Sequence, residues 1–199
     1  DDTESLAALK NYRHVVVKEP RGCVRAWNAA ALDSSGAVLV QLSDDWQPCG
    51  DWDELCWLML DEARIARGTM TTAGPPARKV FADIKDVPLV LAVSDGTRRD
   101  ALLCMAILTR ARWEQQGKEV FSGDYFGVFS DNEFTLRAYA DKVVVPAQHI
   151  EFKHHHPIFA GTPEAEWDET YRRQNAPERN REGAEIFNRR NSAHAVKLP

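Results

Sequence analysis

Gly36-Ala37-Val38-Leu39-Val40-Gln41-Leu42-Ser43-Asp44-Asp45-Trp46 is an apolar run that ends abruptly in two adjacent carboxylates. Behind Gly36, the residues Ala37 to Leu42 read as a short strand covered on both faces, as strands of a parallel sheet are. Ser43, Asp44 and Asp45 then fall just past its carboxyl end, the edge of an open α/β sheet where ligands bind. Neighbouring carboxylates repel, and a divalent cation relieves that repulsion. Hard oxygen ligands suit Mg²⁺ or Mn²⁺, which take one or two carboxylates together with substrate phosphates. A solvated turn with an Asx cap fits the same spacing equally well.

Upstream of this run, Ser5 to Tyr12 has the pattern of a short helix. His14-Val15-Val16-Val17-Lys18 reads as a β-branched strand closed by Glu19-Pro20. Arg21 to Leu32 follows as a helix, with Val24, Trp27, Ala30 and Ala31 at helical spacing. Strand, helix, strand is a βαβ unit, whose strands pair in parallel through a right-handed crossover.

Downstream, Trp46 to Gly50 reads as a turn, and Asp51 as the N-cap of a helix from Trp52 to Arg67 with Glu54 at the capping-box position. Leu55, Leu58, Met59, Glu62 and Ile65 would form its core-facing stripe. Gly68 to Pro76 is a loop by composition. Leu89 to Val93 is a second strand that ends in an acidic turn, Ser94-Asp95-Gly96, so two strands deliver carboxylates at their ends. Ala101 to Leu108 reads as strand, and Thr109 to Gln116 as a helix stopped by Gly117. Phe121 to Phe129 is a glycine-rich aromatic loop leading into Ser130-Asp131-Asn132-Glu133, which caps a helix from Glu133 to Ala140. Lys142 to Pro146 and Ile150 to Pro157 read as two strands, the second with His154 and His156 on one face and His155 on the other. Residues 161–199 are polar, with helical runs at Pro163 to Gln174 and Pro177 to Arg190, and read as an extension packed on a domain of residues 1–160 or on a partner.

The chain has 199 residues, 44% hydrophobic and 28% charged, which suits one globular core rather than a disordered chain. A net charge of −5 argues against nucleic acid as a partner. No apolar run reaches the roughly 20 residues of a membrane span. Cys23, Cys49, Cys56 and Cys104 lack metal-type spacing and fit a reducing, cytoplasmic compartment.

In their order along the chain, Arg21-Gly-Cys-Val-Arg-Ala-Trp-Asn28, Gly36 with its strand into Ser43-Asp44-Asp45-Trp46, Leu108-Thr109-Arg110 with Gly117, Asp131 and a late histidine strand resemble the inverting family 2 glycosyltransferases. That resemblance implies an α/β fold of the GT-A type: a Rossmann-related α/β/α domain with a mostly parallel mixed sheet, followed here by C-terminal helices. The family's Ala-Arg-Asn helix motif stands here as Ala26-Trp27-Asn28, and its metal-binding Asp-x-Asp motif as Ser43-Asp44-Asp45. The resemblance implies Asn28, Asp44 and Asp45 as donor-binding residues, Asp45 with His154 or His156 as ligands of Mg²⁺ or Mn²⁺, and Asp131 as the general base. Trp46, Asp95 and Arg110 would serve the substrate, Trp46 as a stacking platform for a sugar. The implied substrates are a nucleotide-sugar donor and a glycan or lipid acceptor, at the membrane surface or in the cytoplasm. Family members open with a strand, a helix and a second strand whose Asp grips the base. On that pattern Asp1-Asp2 would close the second strand, and the chain would be an incomplete catalytic domain with a sheet edge that favours a homodimer.

Each assignment has a plainer competitor. Asp131 before a helix is a good N-cap, Asp95 before Gly96 makes a turn, and three successive histidines suit a surface strand. Two other functions compete with the transferase: a non-catalytic interaction domain of the same fold, and a metal-dependent hydrolase using Asp44, Asp45, Asp131 and His156.

Overall fold

The computed structural model describes residues 3–18, 22–67 and 83–192. Among them are seven α-helices and one five-stranded mixed sheet, so the chain is α/β. The helices are α1 (Thr3–Leu9), α2 (Cys23–Asp33), α3 (Trp52–Arg67), α4 (Arg110–Gln115), α5 (Ser130–Ala140), α6 (Glu169–Gln174) and α7 (Pro177–Asn191). The strands are β1 (Val38–Val40), β2 (Trp46–Pro48), β3 (Val90–Ser94), β4 (Ile107–Thr109) and β5 (Val144–His154), in the order β1-β4-β3-β5-β2.

Only β3 and β5 pair in parallel; β1 with β4, β3 with β4 and β2 with β5 are antiparallel. The sheet is therefore mostly antiparallel, which corrects the parallel expectation. Two reversals through β4 nonetheless leave β1, β3 and β5 running the same way. Their carboxyl ends share one side of the sheet, and there the chain places Asp45, Asp95 and His154.

Alternation along β3 explains why helices cover both faces. Val90 and Ala92 enter a core with Val24 and Ala31 of α2, Phe134 and Ala138 of α5, and Ile186 of α7. Leu89 and Leu91 face the other way, into a core with Cys56 and Leu60 of α3, Val145 and Phe152. Both faces are apolar, as the strand's uninterrupted hydrophobicity requires.

Several expectations are corrected. Val15 and Val16 are exposed and unpaired, so residues 14–18 form no strand; with no neighbour to receive their backbone groups, β-branched composition alone does not make one. The βαβ unit is consequently absent, and β1 pairs with β4 alone. Trp46 to Pro48, read as turn, is β2, and the two late strands are one strand, β5, interrupted by an irregularity opposite Val93 and Ser94. Helix α3 has the expected limits, but Leu58 and Ile65 are exposed while Cys56 and Leu60 are buried. The 3–10 turn Glu164–Glu166 stands ahead of α6 where one helix was expected. Asp1-Asp2, Glu19-Pro20, Arg21 and the loop 68–76 lie outside the described residues.

Candidate functional site at the carboxyl ends of the strands

The register of β2 against β5 builds the first half of the site. Trp46 pairs with His154, so their rings stack with centroids 4.1 Å apart. Asp45, one residue before β2, is fixed by its own carbonyl, which accepts from the His155 N–H at 2.8 Å. Its side chain then meets His154: Nε2 lies 3.0 Å from Oδ2. A carboxylate only accepts, so Nε2 carries the hydrogen in this contact. The hydrogen bond from His154 holds Asp45 below the ordinary carboxylate range, against the opposing effect of burial. Asp45 Oδ1 and His154 Nδ1 are buried and have no hydrogen-bond partner among the described residues.

His156 joins this pair from the same face of the strand, edge-on to His154 with ring centroids 4.9 Å apart, whereas His155 turns away to Gln47. Burial lowers the His156 pKa, and neighbouring His154 lowers it further, so its imidazole is neutral near pH 7. Tyr171 of α6 places its hydroxyl 3.0 Å from Nε2 and 3.2 Å from Nδ1 of that ring, covering it rather than serving one nitrogen. Tyr171 has no spacing relation to the histidines and went unrecognised in the sequence. Asp44 is exposed in the turn before β2.

Beside these groups lies a cavity of about 500 Å³ lined in part by Trp46, Ser94, Asp95, Arg98, Arg99 and Cys104. Asp95 is buried in its wall, where Oδ1 accepts from the backbone N–H of Thr97 at 2.9 Å and of Arg98 at 2.7 Å. That carboxylate shapes the loop, and its carbonyl receives the N–H of His154 at 3.0 Å. Arg98 is paired with Asp100.

Asp131 stands on the first turn of α5. The N-cap is Phe129, with no side-chain cap, so Asp131 does not cap the helix; Oδ1 accepts only from the next N–H, that of Asn132, at 3.0 Å. Burial raises its pKa, with Arg98 pulling the other way and Asp100 adding to the rise. The thiols of Cys23 and Cys104 both feel its charge, and burial pushes them up to about 11 and about 12. Both are free cysteines and inert as nucleophiles at neutral pH. Asp131 thus combines a raised pKa with electrostatic contact to Arg98 and Cys104 of the cavity wall.

Two further residues singled out by sequence lie elsewhere. Asn28 is buried in α2 and pins the 120–121 backbone, donating to Phe121 O at 2.8 Å and accepting from Val120 N–H at 2.7 Å. Arg110 bonds Gly36 O and Ser34 Oγ and lies over Trp113, at the start of β1 rather than its end. The site therefore assembles Asp45, Trp46, His154 and His156, with Asp95 in the cavity wall; Asp131 does not line the cavity and is linked to it through the charges of Arg98 and Cys104.

Among the described residues no group of three His, Cys, Asp or Glu side chains is arranged to hold a metal ion. No helix among them is long and apolar enough to cross a membrane. Comparison with family models, curated proteins and solved structures returns no match.

Proposed function

We propose that this chain carries the acceptor-side and metal-side machinery of an inverting glycosyltransferase with a GT-A-like arrangement, moving a sugar from a nucleotide-diphosphate donor to a hydroxyl acceptor. The observation that supports it most is the meeting of Asp45 with His154, 109 residues apart, at the carboxyl ends of strands beside a cavity. Sequence order alone gives no reason for that contact.

The residues fit a hard divalent cation. Asp45 offers a buried oxygen with no partner, and His154 and His156 add imidazole nitrogens, a mixed oxygen and nitrogen set that suits Mn²⁺. Among the described residues Asp45, His154 and His156 do not form a three-residue metal cluster, so substrate phosphates would have to supply the remaining oxygens. Asp45 and His154 would hold the ion, with His156 beside them; a bound ion supplies Lewis-acid stabilisation of the departing diphosphate.

Trp46 offers an indole face to the cavity for a sugar ring. Asp131 receives the proton of the acceptor hydroxyl as that oxygen attacks the anomeric carbon from the side opposite the diphosphate, which inverts the configuration. Its raised pKa suits a base: a carboxylate nearer neutrality accepts a proton with less loss of driving force.

Calorimetric titration of UDP and of GDP, with and without Mn²⁺, tests the reading. The expected outcome is manganese-dependent binding that Asp45→Ala reduces by at least about tenfold, roughly 1.4 kcal/mol. Absence of binding to either nucleotide would instead favour a non-catalytic domain of the same architecture, a second reading that the lack of a three-residue metal cluster also favours.

A further inference from the structure

Asp131 follows directly on an unusual piece of backbone. Phe129 has φ of 70°, in the left-handed region that L side chains rarely adopt. Phe129 is nevertheless where α5 begins, its carbonyl accepting the N–H of Glu133 at 3.2 Å. A non-glycine residue stays in such a conformation only where its surroundings over-determine it. Those surroundings are α7.

Gly183 of α7 packs so closely that a Cβ there would lie 2.7 Å from Val128 O and 2.9 Å from Cδ2 of Phe129. Phe187, one turn on, meets the Phe129 ring at 6.1 Å, and Ile186 anchors the helix in the core. At the far end Arg190 reaches the other side of the same turn: its guanidinium pairs with buried Glu133 at 2.8 Å and with Asp124. Tyr125 donates its hydroxyl to the same Glu133 carboxylate at 2.6 Å. Helix α7 therefore grips the chain at Val128 and Phe129 before Asp131 and at Glu133 after it. Asp131 lies between the two grips.

We propose that α7 is a brace that sets the position of Asp131 on the first turn of α5, with Gly183 and Arg190 as positioning residues for the proton-accepting step. This rests on the reading of Asp131 as the base. A polar helix whose only role was to cover the core would need neither a glycine against the Val128 carbonyl nor an arginine committed to the turn that carries the base.

The test compares Gly183→Ala, Arg190→Lys and the double variant Gly183→Ala with Phe129→Gly. Glycine at 129 accepts the left-handed backbone and removes the ring 2.9 Å from the new methyl, leaving the Val128 carbonyl as the one close contact. Three readouts are taken: transfer kinetics, the affinity for UDP with Mn²⁺, and the Asp131 carboxyl carbon followed by NMR through a pH titration. Expected for each single variant is a fall in kcat of tenfold or more with nucleotide affinity unchanged and the Asp131 resonance shifted, and partial recovery of both in the double variant. Arg190→Lys keeps the charge and loses only the fork, so it serves if Gly183→Ala does not fold. Folded single variants with unmoved kcat and an unmoved Asp131 resonance would overturn the proposal. So would loss of the folded state in both, because α7 would then support the whole fold and not this residue. If the unaltered protein transfers no sugar, the reading of the site fails, while the Asp131 resonance still decides whether α7 places that carboxyl.

Discussion

Two carboxylates of the site are displaced in opposite directions, and the sign of each displacement states what it does to stability. Asp45 has its folded pKa lowered by His154, so its contribution is present above the ordinary carboxylate value and is lost as pH falls through the lowered one. Its half-exposed position keeps that contribution small, since solvent screens it. Asp131 has its folded pKa raised by burial. The folded chain then binds its proton more tightly than the unfolded chain does, so stability falls as pH climbs from the unfolded value, about 3.8, through the folded one. At pH 7 Asp131 is a net cost. Asp131→Asn, which keeps an oxygen for the Asn132 N–H, is therefore expected to raise the thermal midpoint at pH 7, by roughly 2–4 °C for each kcal/mol regained. At pH 3 the gain should vanish, since both states are then protonated. The same change should abolish transfer. Scanning calorimetry at the two pH values checks the stability half, and a midpoint that stays put or falls at pH 7 contradicts it. A group that lowers stability at working pH is what a site retained for chemistry shows.

Among the elements, those whose local signals agree were legible from sequence. Helix α3 follows Gly50 and Asp51 and runs 16 residues without a breaker, and β3 is a short run of Val, Leu and Ala ended by Asp95-Gly96. Placement against neighbours was less legible. In α3 both 55-58-59-65, with Glu62 among them, and 52-56-59-60-63 lie at helical spacing, and only the second is apolar throughout. The sheet takes the second, leaving Leu58 half-exposed and Leu60 fully buried. Leu60→Ala should accordingly cost about 2–5 kcal/mol through lost burial and a residual cavity. Leu58→Ala, by contrast, should stay within about 0.5 kcal/mol of the unaltered protein. Urea denaturation of the two variants distinguishes the stripes, and a larger loss at Leu58 would reverse the assignment. The valines at 15–17 and the residues Trp46 to Pro48 fail for a related reason: strand formation is decided by a partner, which β5 supplies to the second segment and no strand supplies to the first. The carboxylates and histidines could be named from sequence because their types are distinctive. Tyr171, Gly183 and Arg190 could not, because their roles exist only once α6 and α7 are folded back onto the domain.

Across the whole molecule, β5 couples the core to the site. Its first residues, Val144 to Ala147, run parallel to β3, with Val145 and Ala147 in the core and Pro146 exposed on the other face. After the irregularity opposite Val93 and Ser94, Ile150 and Phe152 remain fully buried in that core, and only beyond them do Lys153 and His154 depend on their pairing with β2. The site's backbone bonds, His154 N–H to Asp95 O and His155 N–H to Asp45 O, belong to this second part. Strand β2 is three residues long and half-exposed at Trp46 and Pro48, so β2 and the residues after buried Phe152 have too little buried apolar surface to share the stability of the core. The end of β5 beyond Phe152, with β2, should therefore open without global unfolding, and the amides of His154 and His155 should exchange with solvent well before that of Val145. A ligand bound at Asp45 and His154 can hold only the closed form. Free nucleotide and Mn²⁺ at a hundred times their dissociation constant should then slow exchange at His154 and His155 by about a hundredfold, equivalent to about 2.7 kcal/mol. Val145 changes little while its own exchange still proceeds through local opening that the ligand does not oppose. Hydrogen exchange read residue by residue checks both halves: equal protection at Val145 and His154 in the free protein would mean that β5 moves as one strand, and unchanged exchange at His154 with nucleotide bound would place the ligand away from the Asp45 and His154 pair.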